Sequence, residues 1–418
     1  MKYVDEFRDG ELAKNISANI AREADANGQA SSPHLNPLGE TTSHSTRLQE
    51  PAAKSLVIPQ AGEEAIELLR KISYNRTYRL MEFCGGHTHA ISRYGIADLL
   101  PPNVRMIHGP GCPVCVLPIG RVDQAIRLAR EHGVILCTYA DTVRVPASDN
   151  LSLMRAKAKG ADVRMIYSTQ DALKVARDNP EREVVFLAIG FETTTPPTAV
   201  AIKQAATEGL NNFSILCDHV LTPAAMHAIL AVEGGVAIDG FVGPAHVSTV
   251  IGSKPYEPFA DDYGKPVVIA GFEPLDVMQA ILMLVRQINA GRAAVENEFT
   301  RAVTREGNLK AQQLVAEVFE LRDMFEWRGL GSVPNSALKL RPKFAAFDAE
   351  LKFKVNYVAV PDNKACECAA ILRGQKRPQE CKIFGTVCTP ENPVGSCMVS
   401  SEGACAAHYS YGRFRTAA

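Results

Sequence analysis

Eleven cysteines are spread unevenly along this 418-residue chain, and six of them, Cys366, Cys368, Cys381, Cys388, Cys397 and Cys405, fall from position 366 onward. Thiolates are soft ligands for zinc and for iron-sulfur clusters, and a 4Fe-4S cubane takes four of them from a loop-rich wrap. A zinc ribbon normally shows two C-x2-C knuckles. Here successive cysteines are separated by one, twelve, six, eight and seven residues, which favours a cluster over a zinc ribbon or free thiols. Six thiols leave two beyond the four a cubane needs. The run Thr389-Pro390-Glu391-Asn392-Pro393-Val394-Gly395 is turn chemistry that lets the chain bend around a compact inorganic core.

A second constellation lies upstream. Cys84-Gly85-Gly86-His87-Thr88-His89 follows one apolar strand run, and Gly109-Pro110-Gly111-Cys112-Pro113-Val114-Cys115 follows the next. Loops leaving neighbouring parallel strands emerge on the same edge of a sheet, so Cys84 can face Cys112 and Cys115. Glycines remove the Cβ that would hold a ligand or a neighbouring backbone away, and Pro113 stiffens a C-x2-C turn able to chelate a metal or close a disulfide. Three sulfurs and one or two imidazoles suit a metal. A redox dithiol and plain packing are the competing readings.

Other candidates carry a structural reading of equal or greater weight. Cys137 and Cys217 sit inside apolar strand runs, where a cysteine acts as a small core residue. His219 and His246 each follow a strand and are as readily explained as polar loop residues. Glu192 with Thr193, Thr194 and Thr195 precedes Pro196 and Pro197, a helix N-terminal capping arrangement. There is no Gly-x4-Gly-Lys-Ser/Thr loop and hence no motif-level case for ATP.

The elements that position these residues read as α/β: two consecutive parallel-sheet α/β domains followed by a Cys-rich iron-sulfur domain. Strands are expected at Tyr78–Phe83, Val104–Ile107, Val134–Tyr139, Val163–Tyr167, Val184–Ile189, Phe213–Cys217, Gly240–Val242 and Val267–Ala270. The helix Arg121–His132 should close at Gly133, and Glu296–Phe325 reads as one long helix. The expected division is 1–60 for an N-terminal helix and a flexible insertion, 61–150 for the α/β domain with Cys84, Cys112 and Cys115, 151–332 for the second α/β domain, and 333–418 for the Cys-rich domain. In the first segment Leu12, Ile16 and Ile20 form one stripe on a helix over Gly10–Ala24 that packs against another domain. Residues 26–53 are too poor in large apolar side chains to order themselves, and Glu63–Ile72 forms a second helix. Gly190-Phe191-Glu192 and Gly271-Phe272-Glu273, each after a strand, form a faint internal echo.

Composition sets the outer limits. With 45 basic and 46 acidic side chains, the chain lacks the basic excess that drives nucleic-acid binding. No apolar run reaches membrane-spanning length, and Met1-Lys2-Tyr3-Val4-Asp5-Glu6 does not begin a signal peptide. A cytoplasmic protein is expected, and in that reducing compartment its cysteines are ligands or redox thiols.

The runs Phe83–Ala90, Ile107–Cys115, Gly190–Thr194 and Cys397–Ala407, in that order, resemble the HypD family of hydrogenase maturation factors. The likeness covers nearly everything from Tyr78 onward, and Val4–Asp9 fits as well. It departs in the length of 26–53 and in His408, where a Tyr is commoner. The resemblance implies a scaffold that, with the small partner HypC, holds the iron of NiFe-hydrogenase while cyanide, delivered by HypE, and carbonyl are added as Fe(CN)2CO. The unit then passes towards the hydrogenase large subunit. It implies that Cys84 binds the iron, that Cys112 and Cys115 act as a nearby ligand or redox pair, and that His87 shares their pocket. It further implies Cys366, Cys381, Cys388 and Cys405 as ligands of a 4Fe-4S cluster, with Cys368 and Cys397 as an adjacent dithiol. Spacing alone also permits Cys368 in place of Cys366. Electrons would run from the cluster through Cys368/Cys397 to Cys112/Cys115. The rivals are a 4Fe-4S-dependent disulfide reductase and a structural zinc protein.

Overall fold

The computed structural model describes residues 10–25, 76–232, 235 and 237–414. The expected insertion at 26–53 and the expected helix Glu63–Ile72 lie outside the described residues. Nine strands form two parallel sheets: β1 (Tyr78–Glu82), β2 (Val104–His108), β3 (Ile135–Thr138), β4 (Val163–Met165), β5 (Val184–Gly190), β6 (Phe213–His219), β7 (Gly240–Pro244), β8 (Val267–Ala270) and β9 (Val295–Asn297). One sheet has the order β2-β1-β7-β8-β9 and the other β4-β3-β5-β6. Every residue of β5 is buried, which is what continuous apolar strands require when helices cover both faces of a parallel sheet. The α/β class with a Cys-rich C-terminal region is as expected.

The sheets do not follow one another along the chain as the division at 150/151 supposes. β3, upstream of that boundary, pairs with β4 and β5, whereas β7 returns to pair with β1. Both sheets present the same local alternation of strand and helix, and which strands become neighbours is decided by non-local crossovers that this alternation does not encode. The long helix expected over Glu296–Phe325 is also corrected. Its helical part is Leu309–Val318; the chain then becomes β10 (Phe319–Trp327), which pairs antiparallel with β11 (Gly331–Leu340) around the turn at Arg328. The apolar residues Phe319, Phe325 and Trp327 are buried along that strand, and their cross-strand partners overrule helix propensity. A boundary at 332/333 therefore cuts a hairpin.

The N-terminal helix α1 (Gly10–Asp25) buries Ala13, Ile16, Ile20 and Ala24, while Leu12 is exposed. The stripe is thus rotated by one residue from the expected one, and it packs with Tyr78, Leu80 and Met278 in one core. Three helices position the site: α2 (Gly85–Tyr94) after β1, α3 (Pro113–Val116) after β2, and α4 (Ile119–Glu131), beyond which Gly133 adopts φ +63° as the expected terminator. No helix of the described residues is long and apolar enough to cross a membrane.

Candidate metal centre

The site lies on the carboxyl edge of the five-stranded sheet, where open α/β sheets bind ligands. Cys84 is the residue capping α2, and Cys112 caps α3 with its sulfur accepting from the Cys115 N–H at 3.2 Å. The two loops touch through their backbones. The Gly85 N–H donates to the Gly111 carbonyl at 2.9 Å, and a Cβ placed on Gly111 would stand 2.3 Å from the Cys84 nitrogen. Only glycine permits that approach. Cys112 and Cys115 are joined as a disulfide.

The C-terminal cysteines close over this edge. A Cβ on Gly403 would lie 3.0 Å from Cys115 Sγ and 2.3 Å from the Cys397 carbonyl oxygen, and Ser396 Oγ donates to the Cys115 carbonyl at 2.7 Å. The same tail reaches the second sheet, where Ser400 donates to Asp141 at 2.9 Å and Arg144 donates to the Val399 carbonyl at 2.8 Å. Cys366, Cys368, Cys381, Cys388 and Cys405 line one cavity with Ile371, Ile383, Phe384 and Met398. Cys397 stands outside that lining, fully buried, and its sulfur hydrogen-bonds with those of Cys368 and Cys405. The turn 389–395 bends as its composition requires, since a Cβ on Gly395 would sit 2.3 Å from Cys366 Sγ and 2.7 Å from Cys368 Sγ. Among the described residues no three His, Cys, Asp or Glu side chains form a group suited to a single metal ion; the tail thiols ring a space instead.

The electrostatics separate these thiols. Burial, reinforced by the Glu402 charge, pushes Cys84 far above an ordinary thiol, so its thiolate forms only against a cation brought to it. Cys366 and Cys368 share a hydrogen bond in which Cys368 keeps the proton, which draws Cys366 down to about 7 and pushes Cys368 well up. His87 is completely buried, and its Nε2 lies 3.0 Å and 2.9 Å from the carbonyl oxygens of Ala270 and Gly271. Two carbonyls accept only from an N–H, so Nε2 carries the proton and Nδ1 is a bare, buried acceptor without a partner. Burial lowers the proton affinity of the ring, keeping it neutral.

The lesser candidates sort as follows. Cys137 and Cys217 are buried strand residues whose thiols burial raises to about 12, away from the site. His219 is buried and bonded to Thr198 Oγ1 at 3.0 Å. His246 lies against Phe272, the ring centroids 4.1 Å apart, and His87 contacts the same ring at 5.0 Å. Glu192 caps a different helix from the one its neighbours precede: its carboxylate accepts from Thr222 N–H and Oγ1 at 2.8 and 3.0 Å, at the start of Thr222–Ala231.

Sequence reasoning passed over two carboxylates. Glu82, fully buried, accepts from the Cys84 N–H at 2.9 Å, from Thr88 and from His108 Nδ1 at 2.8 Å. Glu402 packs on Gly85, where an added Cβ would meet its Cβ at 2.4 Å. The available signals were a charged residue closing an apolar strand directly before Cys-Gly-Gly-His, and an acid inside the final cysteine motif.

Residues 60–412 match the family model described as HypD, hydrogenase formation hypA family. The chain belongs to the HypD family. It is 62% identical to the hydrogenase maturation factor HypD of Cupriavidus necator over 99% of this chain and 98% of that protein. Identity to the HypD of Azotobacter vinelandii is 60% over 100% of this chain and 98% of that protein, and to the HypD of Escherichia coli K12 46% over 84% and 96%. The glycine-packed Cys84 and Cys112/Cys115 loops and the tail thiols are thus elements of a hydrogenase maturation factor.

Proposed function

We propose that this HypD-family chain holds an iron ion as cargo at Cys84 while cyanide and carbonyl ligands are placed on it, with HypC sharing the iron and HypE delivering the cyanide. The observation that carries this reading is the convergence of three chain segments, bearing Cys84, Cys112/Cys115 and Cys397, through contacts too close for any side chain but glycine's. Cys84, a buried thiol that ionises only against a cation, is suited to a guest metal. Cys112 and Cys115 stand ready as further ligands once reduced. His87 offers the Nδ1 lone pair from the first turn of α2, directly after Cys84.

Cys366, Cys381, Cys388 and Cys405 would hold a 4Fe-4S cluster, with Cys368 and Cys397 as the dithiol. Five thiols and apolar walls around one cavity fit such a group, and Cys368 is as well placed to serve as Cys366. When bound, the cluster supplies single electrons. The thiols carry pairs: Cys368 and Cys397 become a disulfide as the Cys112–Cys115 disulfide becomes two thiols, with two electrons and two protons exchanged. Replacing Cys112 with Ser, with iron and sulfide content unchanged, should abolish hydrogenase maturation, and unchanged hydrogenase activity would refute the exchange.

The Cys112–Cys115 disulfide set against the tail also favours a second reading, a 4Fe-4S-dependent disulfide reductase. Turnover of a small disulfide by the isolated chain would support it.

A further inference from the structure

The turn between β10 and β11 borders a charged cavity whose walls hold no cysteine. Its volume is about 400 Å³, and its walls include Pro118, Trp327, Arg328, Leu330, Asp362 and Arg373. The Arg328 side chain is 2% exposed, and its Nε and Nη2 are both buried without a hydrogen-bond partner among the described residues. A guanidinium keeps its proton, and Nε–H with Nη2–H is an edge that grips two oxygens at once. Elsewhere in the chain that edge is filled. Arg177 holds Glu208 at 2.7 and 2.9 Å and Arg305 holds Glu257 at 2.8 and 2.9 Å, each through Nε and Nη2. Those two arginines are exposed, where such a pair is worth little; Arg328 is buried, where an unmatched charge costs most.

Asp362 is a poor match for this edge. Its Oδ1 stands 3.3 Å from Nε without completing a hydrogen bond, and its side chain is 32% exposed, so water shares its charge. No helix or strand lies between Phe353 and Cys368, so the segment bearing Asp362 shifts at small cost. Arg328 itself is fixed. Its N–H donates to the Val116 carbonyl at 2.8 Å, and a Cβ on the next residue, Gly329, would stand 3.2 Å from Ala369 Cα. Arg373 donates to the Gly329 carbonyl at 2.6 Å and to Gln375 at 3.1 Å, which holds a second cation at the wall. The walls thus carry two cations and two carboxylates, Asp362 and Glu326, the latter bonded to the Tyr357 hydroxyl. Withdrawing Asp362 leaves a surplus of one positive charge, which suits a monoanion, and Pro118, Trp327 and Leu330 offer apolar wall to a carbon body.

We infer that this cavity binds a small organic carboxylate, with its two oxygens on Nε and Nη2 of Arg328 and with Asp362 as the placeholder it displaces. The site needs neither iron nor cluster.

The test is isothermal titration calorimetry of the full-length chain, Arg328→Gln and Asp362→Asn at fixed ionic strength. The probes are butyrate, its uncharged counterpart butyramide, and inorganic phosphate as the rival oxyanion. The unaltered chain should bind butyrate, and both other probes about tenfold or more weakly. Arg328→Gln should weaken butyrate about tenfold, and Asp362→Asn, which keeps the shape and drops the competing charge, should tighten it about tenfold. The inference is overturned if neither the unaltered chain nor Asp362→Asn binds butyrate at millimolar concentration, if butyramide binds equally well, or if phosphate binds more tightly. Should Arg328→Gln fail to fold, Asp362→Asn decides alone: tighter butyrate binding supports the inference, and unchanged or weaker binding overturns it.

Discussion

Replacing Gly111 with Ala should disable the site by separating two loops. The backbone of Gly111 lies outside the left-handed region, so alanine costs nothing in φ and the effect is steric. Its Cβ would stand 2.3 Å from the Cys84 nitrogen and 2.6 Å from both Cys84 Cα and the Phe83 carbonyl carbon. All three are backbone atoms and none can swing aside, so the loops must part by about 1 Å to reach ordinary contact. Overpacking of this kind costs about 2 kcal/mol, a fall in Tm of roughly 4–8 °C at the rate of large domains. A displacement of 1 Å at a reacting centre costs about 100-fold. The assay is hydrogenase activity in cells carrying each variant, with differential scanning calorimetry of the purified chain. Gly133→Ala serves as the control, since Gly133 has φ +63° and nothing within 4 Å of its would-be Cβ; it should lose about 1 kcal/mol through backbone strain and keep maturation intact. If both variants lose stability and neither loses maturation, the close packing of the Cys84 and Cys112 loops is irrelevant to function and the reasoning fails.

Two further outcomes concern the scaffold. Burial raises the Glu192 carboxyl from 4.5 to about 7. The fold thus prefers the protonated form, and the contribution of Glu192 to stability, full below pH 4.5, is lost as pH rises to about 7, a difference of about 3 kcal/mol. Glu192→Gln should therefore match the unaltered chain in urea unfolding near pH 5 and exceed it at pH 8; an equal difference at both pH values would count against the assignment. Arg121, 4% exposed, bridges Glu350 at 2.6 Å and Asp218 at 3.4 Å, and Arg322 holds the other Glu350 oxygen at 2.6 Å. Arg121→Ala strands the buried Asp218 and should cost about 3–5 kcal/mol, and a loss below 1 kcal/mol by urea titration would show that the network is solvated.

Much of this was legible from residue order. Val184–Gly190 and Val267–Ala270 announce themselves because a strand buried on both faces needs an unbroken apolar run, and Gly133 marks its helix end because few other residues accept its φ. The Cys-Gly-Gly-His and C-x2-C loops were placed on one sheet edge because parallel neighbours share it. What remained hidden is non-local. Nothing in Gly240–Pro244 says that this strand pairs with Tyr78–Glu82 across more than 150 residues, and Phe319–Trp327 becomes a strand only because Gly331–Leu340 pairs with it. Glu82 escaped notice for a similar reason: a carboxylate in an apolar run looks like a solvated strand end until the Cys84 N–H, the Thr88 hydroxyl and the His108 ring are seen to converge on it.

Cys84 is the proposed anchor of an iron that carries diatomic ligands. Infrared spectroscopy of the chain co-purified with HypC tests this most directly, because metal-bound cyanide and carbonyl absorb where protein does not. The unaltered complex should show both sets of bands and Cys84→Ser should show neither at equal yield of complex; bands of undiminished intensity in Cys84→Ser would contradict it.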